Sequence, residues 1–495
     1  MTRCNTPTEM EPASRPHNKY RPVAERLEDF RPVEKRAAPE ELRDGLRRCQ
    51  DCGIPFCHAV GCPLGNAIPE MNLHALAGRW ERALATLLAT SPFPEFTARV
   101  CPALCEGSCV QGMHEEPTPI RQTEKEIIER GFASGWIKPL IPERRLGLKV
   151  AVVGAGPSGL ATAWRLSRAG AQVTLYESAA KPGGFLRYGI PDFKLEKEVL
   201  DRRMELMAEE GVKFECGVDV GLDIGARLLK KRFDAVVLAV GSRKKRDLVV
   251  PGRELAGIHF ATDYLSAQNR LLGGEIKVLP PGFSARGRRA VVVGGGDTGS
   301  DCLGTALRQG AKSVAQFEIM PDPPPTRTPA NPWPEWPRIH RDSSSHEEGG
   351  ERRWNITTLE FLPGDVPGRL GALRCAEVEW LAKDGGRPAP VPRPGTEFIQ
   401  PAEMAMLAMG FTGVEDNILY RELGVALTPA GLLARNPDQS VADGVFAAGD
   451  AAKGPSLVVR AMADGLETAK AVLAWHAAGG AKKEKAGVSP RLASV

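Results

Sequence analysis

Short apolar runs that end in glycines alternate with amphipathic stretches in two parts of this chain. Residues 148–153 form such a run and predict a buried parallel strand, and residues 158–168 and 172–177 predict a helix and a second strand. The same order returns about 140 residues later, at residues 290–293, 298–308 and 313–318. Strand–helix–strand units predict parallel sheets, so the pattern indicates an α/β protein with two related nucleotide-binding folds.

The first 145 residues lack this alternation. Residues 1–45 are polar and rich in proline, which predicts an extended arm, whereas residues 73–88 and 122–130 have helical periodicity. Residues 321–337 contain so many prolines that a helix or a central strand is excluded, which predicts a surface loop or else a linker. The last residues, 481–495, are predicted to form a flexible tail.

Composition and charge narrow the class of protein. The 495 residues allow about three domains, and 65 Lys and Arg against 61 Asp and Glu are too balanced for a nucleic-acid or membrane surface. The N-terminus has no apolar secretory segment and no run of about 18 apolar residues occurs, so we expect no export signal and no transmembrane helix. Clustered thiols then favour the cytoplasm, where cysteines bind metals or act in redox chemistry more often than they form disulfides.

Seven of the eleven cysteines lie in two bursts. The first burst contains Cys49, Cys52, Cys57 and Cys62, with a proline after the last, and the second contains Cys101, Cys105 and Cys109. Closely stepped cysteines that end in Cys-Pro resemble the ferredoxin arrangement, in which the last cysteine of a run binds the other cluster. This arrangement predicts two [4Fe–4S] clusters, one held by Cys49, Cys52, Cys57 and Cys109, and the other by Cys62, Cys101 and Cys105, which leaves the second cluster one ligand short.

Structural zinc, or buried thiols without metal, is the alternative to iron–sulfur clusters. Zinc sites usually combine two paired C-x2-C knuckles, and this chain has only one. His58 lies inside the first burst and could be a ligand, although a local packing or hydrogen-bonding role suits it better.

A glycine fingerprint follows the first predicted strand. It consists of Gly154, Gly156, Pro157, Ser158 and Gly159. The three glycines permit a tight turn, a close approach of the backbone to a pyrophosphate, and close packing of helix on strand, and the helix N-terminus then attracts the phosphates. Glu177 ends the next strand, where an acidic residue bonds the ribose hydroxyls. These residues predict a dinucleotide site.

A second fingerprint occupies the corresponding place in the second unit. It consists of Gly294, Gly296, Asp297, Thr298 and Gly299, with Glu318 at the end of the following strand. Its alternative is a structural glycine turn without a ligand. Farther along, Gly449 and Asp450 end an apolar strand, where the aspartate could be an N-cap or could bond the ribityl chain of a flavin. Together with the first fingerprint this predicts FAD as the first nucleotide, and a flavin domain that resumes after the second nucleotide domain.

Four motifs together resemble the family of glutamate synthase small (β) subunits. They are Arg-Cys-x2-Cys-Gly-Ile-Pro-Phe-Cys-His at Cys49, Cys-Pro-Leu-Gly-Asn at Cys62, Asn-Pro-Trp-Pro-Glu-Trp-Pro at 331–337 and Ala-Met-Gly-Phe at 408–411. The resemblance covers about residues 20–475. The N-terminal half is also similar to the electron-input module of dihydropyrimidine dehydrogenase.

The resemblance implies two low-potential [4Fe–4S] clusters, one FAD and a site for NADPH or NADH. It implies Glu124 as the missing cluster ligand, because family members carry Glu or Gln on a helix after the second burst; an exposed helix charge is the alternative. It also places Gly184 in the flavin pocket. The choice between NADPH and NADH stays open. Glu318 would repel a 2′-phosphate and so favour NADH, whereas bacterial relatives mostly use NADPH, and the Arg327 side chain could still bind a 2′-phosphate.

The resemblance also implies a large (α) partner subunit. Electrons would pass from NAD(P)H through FAD and the clusters to that partner, which makes L-glutamate from L-glutamine and 2-oxoglutarate. No catalytic acid or base is expected, because the cofactors carry the chemistry. The alternatives are an electron-input subunit for a ferredoxin or a pyrimidine-reductase-like partner, and a zinc-stabilised nucleotide-binding scaffold without turnover.

The expected fold is α/β, with a helical N-terminal iron–sulfur domain followed by two Rossmann-like, glutathione-reductase-like domains, the second inserted in the first. The expected boundaries are 1–145 for the helical domain with two clusters, 146–270 and 401–480 for the two parts of the FAD-binding domain, 271–400 for the NAD(P)H-binding domain, and 481–495 for the tail.

Overall fold

The computed structural model describes residues 20–381 and 388–480, so the predicted tail and the beginning of the predicted arm lie outside the described residues. The helices are α1 (Val23–Leu27), α2 (Pro39–Arg47), α3 (Ile68–Leu76), α4 (Trp80–Leu88), α5 (Pro94–Val100), α6 (Leu104–Gly107), α7 (Ile120–Ala133), α8 (Pro157–Arg168), α9 (Phe185–Tyr188), α10 (Lys197–Glu209), α11 (Ala226–Arg232), α12 (Ala261–Leu272), α13 (Asp297–Arg308), α14 (Ser344–Glu347), α15 (Ile418–Leu423), α16 (Asp450–Lys453) and α17 (Val458–Ala477). A π-helical turn spans Cys57–Gly61 and a 3-10 turn spans Val110–Met113.

The strands are β1 (Lys149–Val153), β2 (Gln172–Glu177), β3 (Lys213–Cys216), β4 (Ala235–Leu238), β5 (Lys244–Lys245), β6 (Ile258–Phe260), β7 (Arg289–Val293), β8 (Ser313–Phe317), β9 (Glu351–Arg353), β10 (Ile356–Pro363), β11 (Leu370–Leu381), β12 (Ala389–Pro392), β13 (Phe398–Pro401), β14 (Met404–Leu407), β15 (Phe411–Gly413), β16 (Ser440–Ala442) and β17 (Val445–Ala447). Both predicted strand–helix–strand units are confirmed, as β1–α8–β2 and β7–α13–β8, with ends within one residue of the prediction.

The described residues group into two units. The first comprises the described parts of Met1–Lys138, Gly183–Arg203 and Lys245–Phe411, and the second comprises those of Pro139–Pro182, Met204–Lys244 and Thr412–Val495. The chain therefore enters and leaves each unit more than once, and the two units are described separately below.

The helical part of the first unit has its own core. Residues from α2, α3, α4 and α7 bury apolar side chains against one another, among them Leu42, Met71, Leu87 and Ile127. The helix predicted at 73–88 is in fact two helices, α3 and α4. Gly78, at φ +71, follows α3 in the left-handed conformation that a helix commonly adopts at its end, and this turn separates the two.

Part of the predicted arm is also helical. Arg26 on α1 is buried and forms ion pairs with Glu347 at 3.1 Å and Glu348 at 3.3 Å, and the backbone N–H of Val33 donates to Phe193 O at 3.0 Å. The expectation of an extended arm over residues 1–45 is therefore wrong for residues 23–27, in α1, and for residues 39–45, in α2. For α1 the reason is tertiary, because a buried guanidinium needs carboxylates, and these lie more than 300 residues away in sequence.

The first unit also contains a five-stranded sheet in the order β6-β14-β7-β8-β9. β7 pairs in parallel with β8 on one side and with β14 on the other, so the second glycine fingerprint lies at the carboxyl end of a central strand. β6 and β14 were expected in the flavin-domain segments 146–270 and 401–480. They lie in this sheet instead, because Ile258 to Phe260 pair with Ala405 to Leu407. A smaller sheet of β10, β11, β12 and β13 follows β9 in the same unit.

The second unit is built on a six-stranded sheet in the order β16-β17-β4-β1-β2-β3. β1 pairs in parallel with β2 and β4, and the late strand β17 pairs in parallel with β4. The sheet begun near residue 149 is thus completed near residue 445, which confirms the predicted resumption of the first nucleotide fold after an inserted second one.

Candidate functional site

Four cysteines predicted to hold one cluster surround a single cavity. Cys49, Cys52, Cys57 and Cys109 line it, and it contains about 340 Å³ of empty space that is partly open to solvent. Cys49 follows α2, Cys57 begins the π-helical turn and Cys109 precedes the 3-10 turn. The last cysteine of the second burst thus lies with the cysteines of the first burst, and the assignment of these four to one cluster stays a prediction.

In this first set, burial and the neighbouring cysteines raise the pKa values of the thiols. Burial raises the pKa of Cys57 to about 12, and the neighbouring Cys109 and Cys49 raise it as well. The pKa of Cys52 is raised by burial and by the same two cysteines. Backbone N–H groups act in the opposite direction, as His58 N–H does at Cys57. Deprotonating these thiols together requires a bound cation, because only a positive centre offsets the repulsion among the thiolates.

The remaining three cysteines form a second set with Glu124. The pKa of Cys62 rises to about 12, first through burial and then through the charge of Glu124, and Cys101 adds to it. Burial raises the pKa of Cys101 to about 11, and Glu124 raises it further. Cys105 is buried, and its pKa lies well above the ordinary value because of burial and then Glu124. Gly61 permits this close packing, since a Cβ atom there would lie 2.6 Å from Cys105 Cα.

Glu124 is a buried carboxylate on α7 and not an exposed helix charge. Its side chain is 6% exposed, and burial raises its pKa to about 7. Asn66 Nδ2 donates to Glu124 Oε1 at 2.8 Å, and Thr90 Oγ1 donates to Asn66 Oδ1 at 2.8 Å. The Glu124 carboxylate, which only accepts when ionised, selects the NH₂ end of the Asn66 amide, and the Thr90 hydroxyl bonds the other end. Sequence reasoning missed both Asn66 and Thr90.

The donor set suits iron–sulfur clusters. Thiolates are the ligands that such clusters take, and N–H groups of Leu64 and Asn66 point to Cys62 while those of Ala103 and Leu104 point to Cys101. His58 is not grouped with the thiols; its Nδ1 lies 2.9 Å from Asn66 O. Within residues 20–381 and 388–480, no three His, Cys, Asp or Glu side chains are arranged around a single metal ion.

The proline-rich segment lies against the second cysteine burst. Ser108 Oγ donates to Pro334 O at 2.8 Å, and the rings of Phe56 and Trp333 are 4.7 Å apart. Arg327 Nη1 donates to Glu335 O and Nη2 to Gly107 O, both at 2.7 Å. The segment contains no helix or strand and is a surface loop, as predicted. Arg327, considered above for a 2′-phosphate, is engaged in holding this loop.

The first glycine fingerprint shows why each glycine is needed. A Cβ atom on Gly154, which has φ +103, would lie 2.4 Å from Ala239 O, and one on Gly159 would lie 1.9 Å from Gly154 O. Gly156, in contrast, has no protein atom within 4 Å of such a Cβ position, so its backbone is open to a ligand. Pro157 and Ser158 begin α8 directly after it. Glu177 Oε2 accepts from Ala155 N at 3.0 Å, which holds the carboxylate at the loop.

The second fingerprint repeats this arrangement group by group. A Cβ atom on Gly294, at φ +122, would lie 2.3 Å from Ala408 O, and one on Gly299 would lie 2.3 Å from Gly294 O, while Gly296 is again open. Glu318 Oε2 accepts from Gly295 N at 2.6 Å. Asp297 and Thr298 are the first two residues of α13. The two loops therefore share one geometry, and nucleotide binding at the second loop, rather than a glycine turn without a ligand, stays a prediction.

Two hydrogen-bonded side chains, Gln316 and His346, hold the backbone of the second loop at Gly294. Sequence reasoning missed both. Gln316 Nε2 donates to Gly294 O at 2.9 Å, and His346 Nε2 lies 2.8 Å from Gln316 Oε1. Burial lowers the pKa of His346 to about 4, with Arg352 contributing, so the ring is neutral near pH 7. No local motif signals the pair, because its two residues lie 30 positions apart.

The late strand brings the predicted flavin residues to the first loop. A Cβ atom on Gly449, at φ +70, would lie 2.5 Å from Ser158 Oγ, so this glycine packs directly on the start of α8. Asp450 accepts from Ser456 Oγ at 2.6 Å, and burial raises its pKa. A Cβ atom on Gly465 of α17 would lie 2.2 Å from Ser158 O. Gly184, at φ +53, is the N-cap of α9 and belongs to the first unit.

No helix in the described part of the chain is long and apolar enough to cross a membrane.

Comparison with known proteins adds two family matches. Residues 26–136 match the family described as dihydropyrimidine dehydrogenase domain II, 4Fe-4S cluster, and residues 148–332 match the family described as pyridine nucleotide-disulphide oxidoreductase. The first match covers both cysteine sets and the second covers both glycine loops.

Whole-length relatives agree with these matches. The chain is 49% identical over 459 residues to the glutamate synthase [NADPH] small chain of Mycobacterium tuberculosis, covering 92% of each chain, and 42% identical over 463 residues to that of Bacillus subtilis, covering 90% of this chain and 93% of the relative. It is 41% identical over 469 residues to glutamate synthase [NADH] of Saccharomyces cerevisiae, of which it covers 22%. Among solved structures, Mycobacterium tuberculosis FprA in complex with NADPH shares the fold, with a TM-score of 0.53 and 19% identity over 69% of this chain and 87% of that chain.

Proposed function

The chain belongs to the glutamate synthase small-chain family, and from this membership we propose that it oxidises NAD(P)H and delivers the electrons to a large partner subunit that makes L-glutamate from L-glutamine and 2-oxoglutarate. When bound, FAD supplies the conversion of a two-electron hydride into single electrons, and iron–sulfur clusters carry single electrons onward. The protein's own residues bind and orient these groups and set the electrostatic environment around them.

The observation that carries the proposal is that seven cysteines and Glu124 fall into two groups of four. Cys49, Cys52, Cys57 and Cys109 would hold one [4Fe–4S] cluster, and Cys62, Cys101, Cys105 and Glu124 would hold the other. If these seven thiols, which lie within about 60 residues, were only buried, nothing would require them to form two separate groups. The partition is what two cuboidal clusters require, and Glu124 supplies the ligand that the cysteines lack.

The two glycine loops would bind the two nucleotides. In the second unit, the open space at Gly156 would take the pyrophosphate of FAD, Glu177 would bond the adenosine ribose, and Asp450 would bond the ribityl chain. In the first unit, Gly296 leaves the corresponding room for NAD(P)H, and Glu318 takes the place of Glu177. Asp297, Thr298, Pro157 and Ser158 present the helix N-termini to the phosphates.

The proposal is tested by metal and flavin analysis of protein purified without oxygen. We expect roughly eight irons and one FAD per chain, together with the broad visible absorbance of iron–sulfur centres. Cys49→Ala and Cys101→Ala serve as paired variants, because they remove one ligand from each set; each is expected to lose about half of the iron. Zinc in place of iron, or iron content unchanged in both variants, contradicts the proposal.

The partner requires a second test. With the large subunit of glutamate synthase added, glutamine and 2-oxoglutarate together should trigger oxidation of the reduced nicotinamide and yield glutamate. Omission of glutamine is the control. If the purified protein holds both clusters and FAD but no such subunit binds it, and a ferredoxin accepts its electrons, then the chain serves a different partner.

A further inference from the structure

Asn72 is a buried carboxamide for which the protein provides no hydrogen bond. It lies in the middle of α3, is 1% exposed, and neither its Nδ2 nor its Oδ1 has a partner among residues 20–381 and 388–480. Burial of an amide without a partner is unfavourable. The adjacent buried positions of α3, Ile68, Met71 and Ala75, are apolar, so a leucine at position 72 would match them.

The place to which Asn72 is directed is the first cysteine cavity. Asn72, Ile68 and Pro69 form one wall, and the four cysteines of the first set lie around the same space. The side chains of Ile68 and Pro69 contribute only carbon to that wall. Asn72 is therefore the group on α3 that brings a polar side chain into the cavity.

We propose that Asn72 donates a hydrogen bond from Nδ2 to a sulfur atom of the cluster bound by Cys49, Cys52, Cys57 and Cys109, and thereby raises the reduction potential of that cluster. The proposal rests on the function proposed above. Thiolate and sulfide sulfur only accept hydrogen bonds, so the NH₂ end of the amide is the end that can face them. Such a bond stabilises the reduced cluster more than the oxidised cluster, because the reduced cluster carries one more negative charge.

The test is a redox titration of the anaerobically purified full chain, followed by electron paramagnetic resonance so that the two clusters are measured separately. Asn72→Leu removes the donor with little change in volume, and Asn72→Ala removes it independently. The expected result is full iron content with one of the two potentials lowered by ~59 mV, which is about a tenfold change in a one-electron reduction equilibrium. Met71→Leu, a conservative change at the neighbouring buried position, is the matched control and should move neither potential.

The outcomes separate this inference from the proposed function. A wild-type protein without iron–sulfur clusters overturns the proposed function before Asn72 is considered. Two clusters with unchanged potentials in both Asn72 variants overturn the role of Asn72 and leave the proposed function intact. If both variants lose the first cluster, Asn72→Gln decides the matter, because it retains the NH₂ donor: return of the cluster supports the inference, and continued loss overturns it.

Discussion

Asn66 offers a sharp test of Glu124 as a cluster ligand. Its side-chain amide donates to Glu124 at 2.8 Å and accepts from the Thr90 hydroxyl at 2.8 Å. Asn66→Asp is nearly isosteric but places an acceptor where the donor was. The change therefore acts on the hydrogen bond and the charge around Glu124, and hardly on packing.

The expected size of the effect follows from two routes open to the variant. If the new carboxyl group at position 66 stays ionised, two carboxylates about 4 Å apart repel by about 4 kcal/mol at an effective dielectric constant of about 20. If the new group instead takes a proton so that it can donate as the amide did, holding that proton at about pH 7.5 costs about 5 kcal/mol, given an ordinary aspartate pKa of about 3.9. Either route weakens the second cluster site by roughly a thousandfold.

The assay is iron retention after exposure to a chelator, together with the electron paramagnetic resonance spectrum of the reduced protein. Wild-type protein should keep roughly eight irons per chain and Asn66→Asp about four. Glu124→Gln combined with Asn66→Asp should restore the second cluster, because the amide introduced at position 124 then donates to the carboxylate introduced at position 66, and the amide oxygen remains free for iron.

A control makes the same chemical change elsewhere. Asn417→Asp keeps the N-cap oxygen that accepts from Leu419 N and, like Asn66→Asp, removes an amide donor, here the one to Val220 O at 3.2 Å. It should leave iron unchanged. If Asn66→Asp retains all of its iron and the wild-type spectrum, Glu124 is not a ligand that depends on Asn66, and the reasoning above is refuted.

Three further predictions concern the nucleotide loops. Gly156→Val should abolish FAD retention without unfolding the protein, since no protein atom opposes the new side chain, whereas Gly296→Val should leave the flavin spectrum intact and abolish NAD(P)H oxidation; a normal flavin content in the first variant would count against the assignment. Glu318→Ala should increase the ratio of kcat/KM for NADPH to that for NADH, because a carboxylate that repels a 2′-phosphate is gone, and an unaltered ratio would remove Glu318 from cofactor selection. His346→Gln should become more stable relative to wild type as the pH falls from about 6.5 to about 4, by at most about 3 kcal/mol. The reason is that the pKa of His346 is lowered to about 4 in the folded protein, so the unfolded chain binds the proton more tightly over this range and wild type loses stability. Melting temperatures of the two proteins that run parallel across this pH range would show that the ring is not held neutral.

The glycine loops were predictable from the sequence because their constraints are local. The apolar strand, the glycine turn and the helix start all lie within about 20 residues, and the pattern of β1 and α8 predicted their ends to within one residue. The acidic residue at the end of β2, Glu177, lies where the strand length alone places it. The family resemblance could likewise be recognised from the sequence, because its motifs are contiguous segments of the chain.

The grouping of the cysteines was predictable only by analogy, and the polar residues packed around them were not predictable at all. Asn66 and Glu124 are hydrogen-bonded although they lie 58 positions apart in sequence, and so are Gln316 and His346, which lie 30 positions apart. Neither pair leaves a periodic or compositional signal, because a polar residue on a helix looks the same in sequence whether it faces solvent or a buried partner. Asn72 shows this most plainly, since only the packing of α3 against the cysteine loops places its amide in a cavity lined by four thiols. The amino-acid sequence thus predicted which cofactors to expect, and the tertiary structure decided which candidate ligands lie together and which polar groups surround them. The reason is that burial and hydrogen bonding are properties of residues brought together from distant parts of the chain.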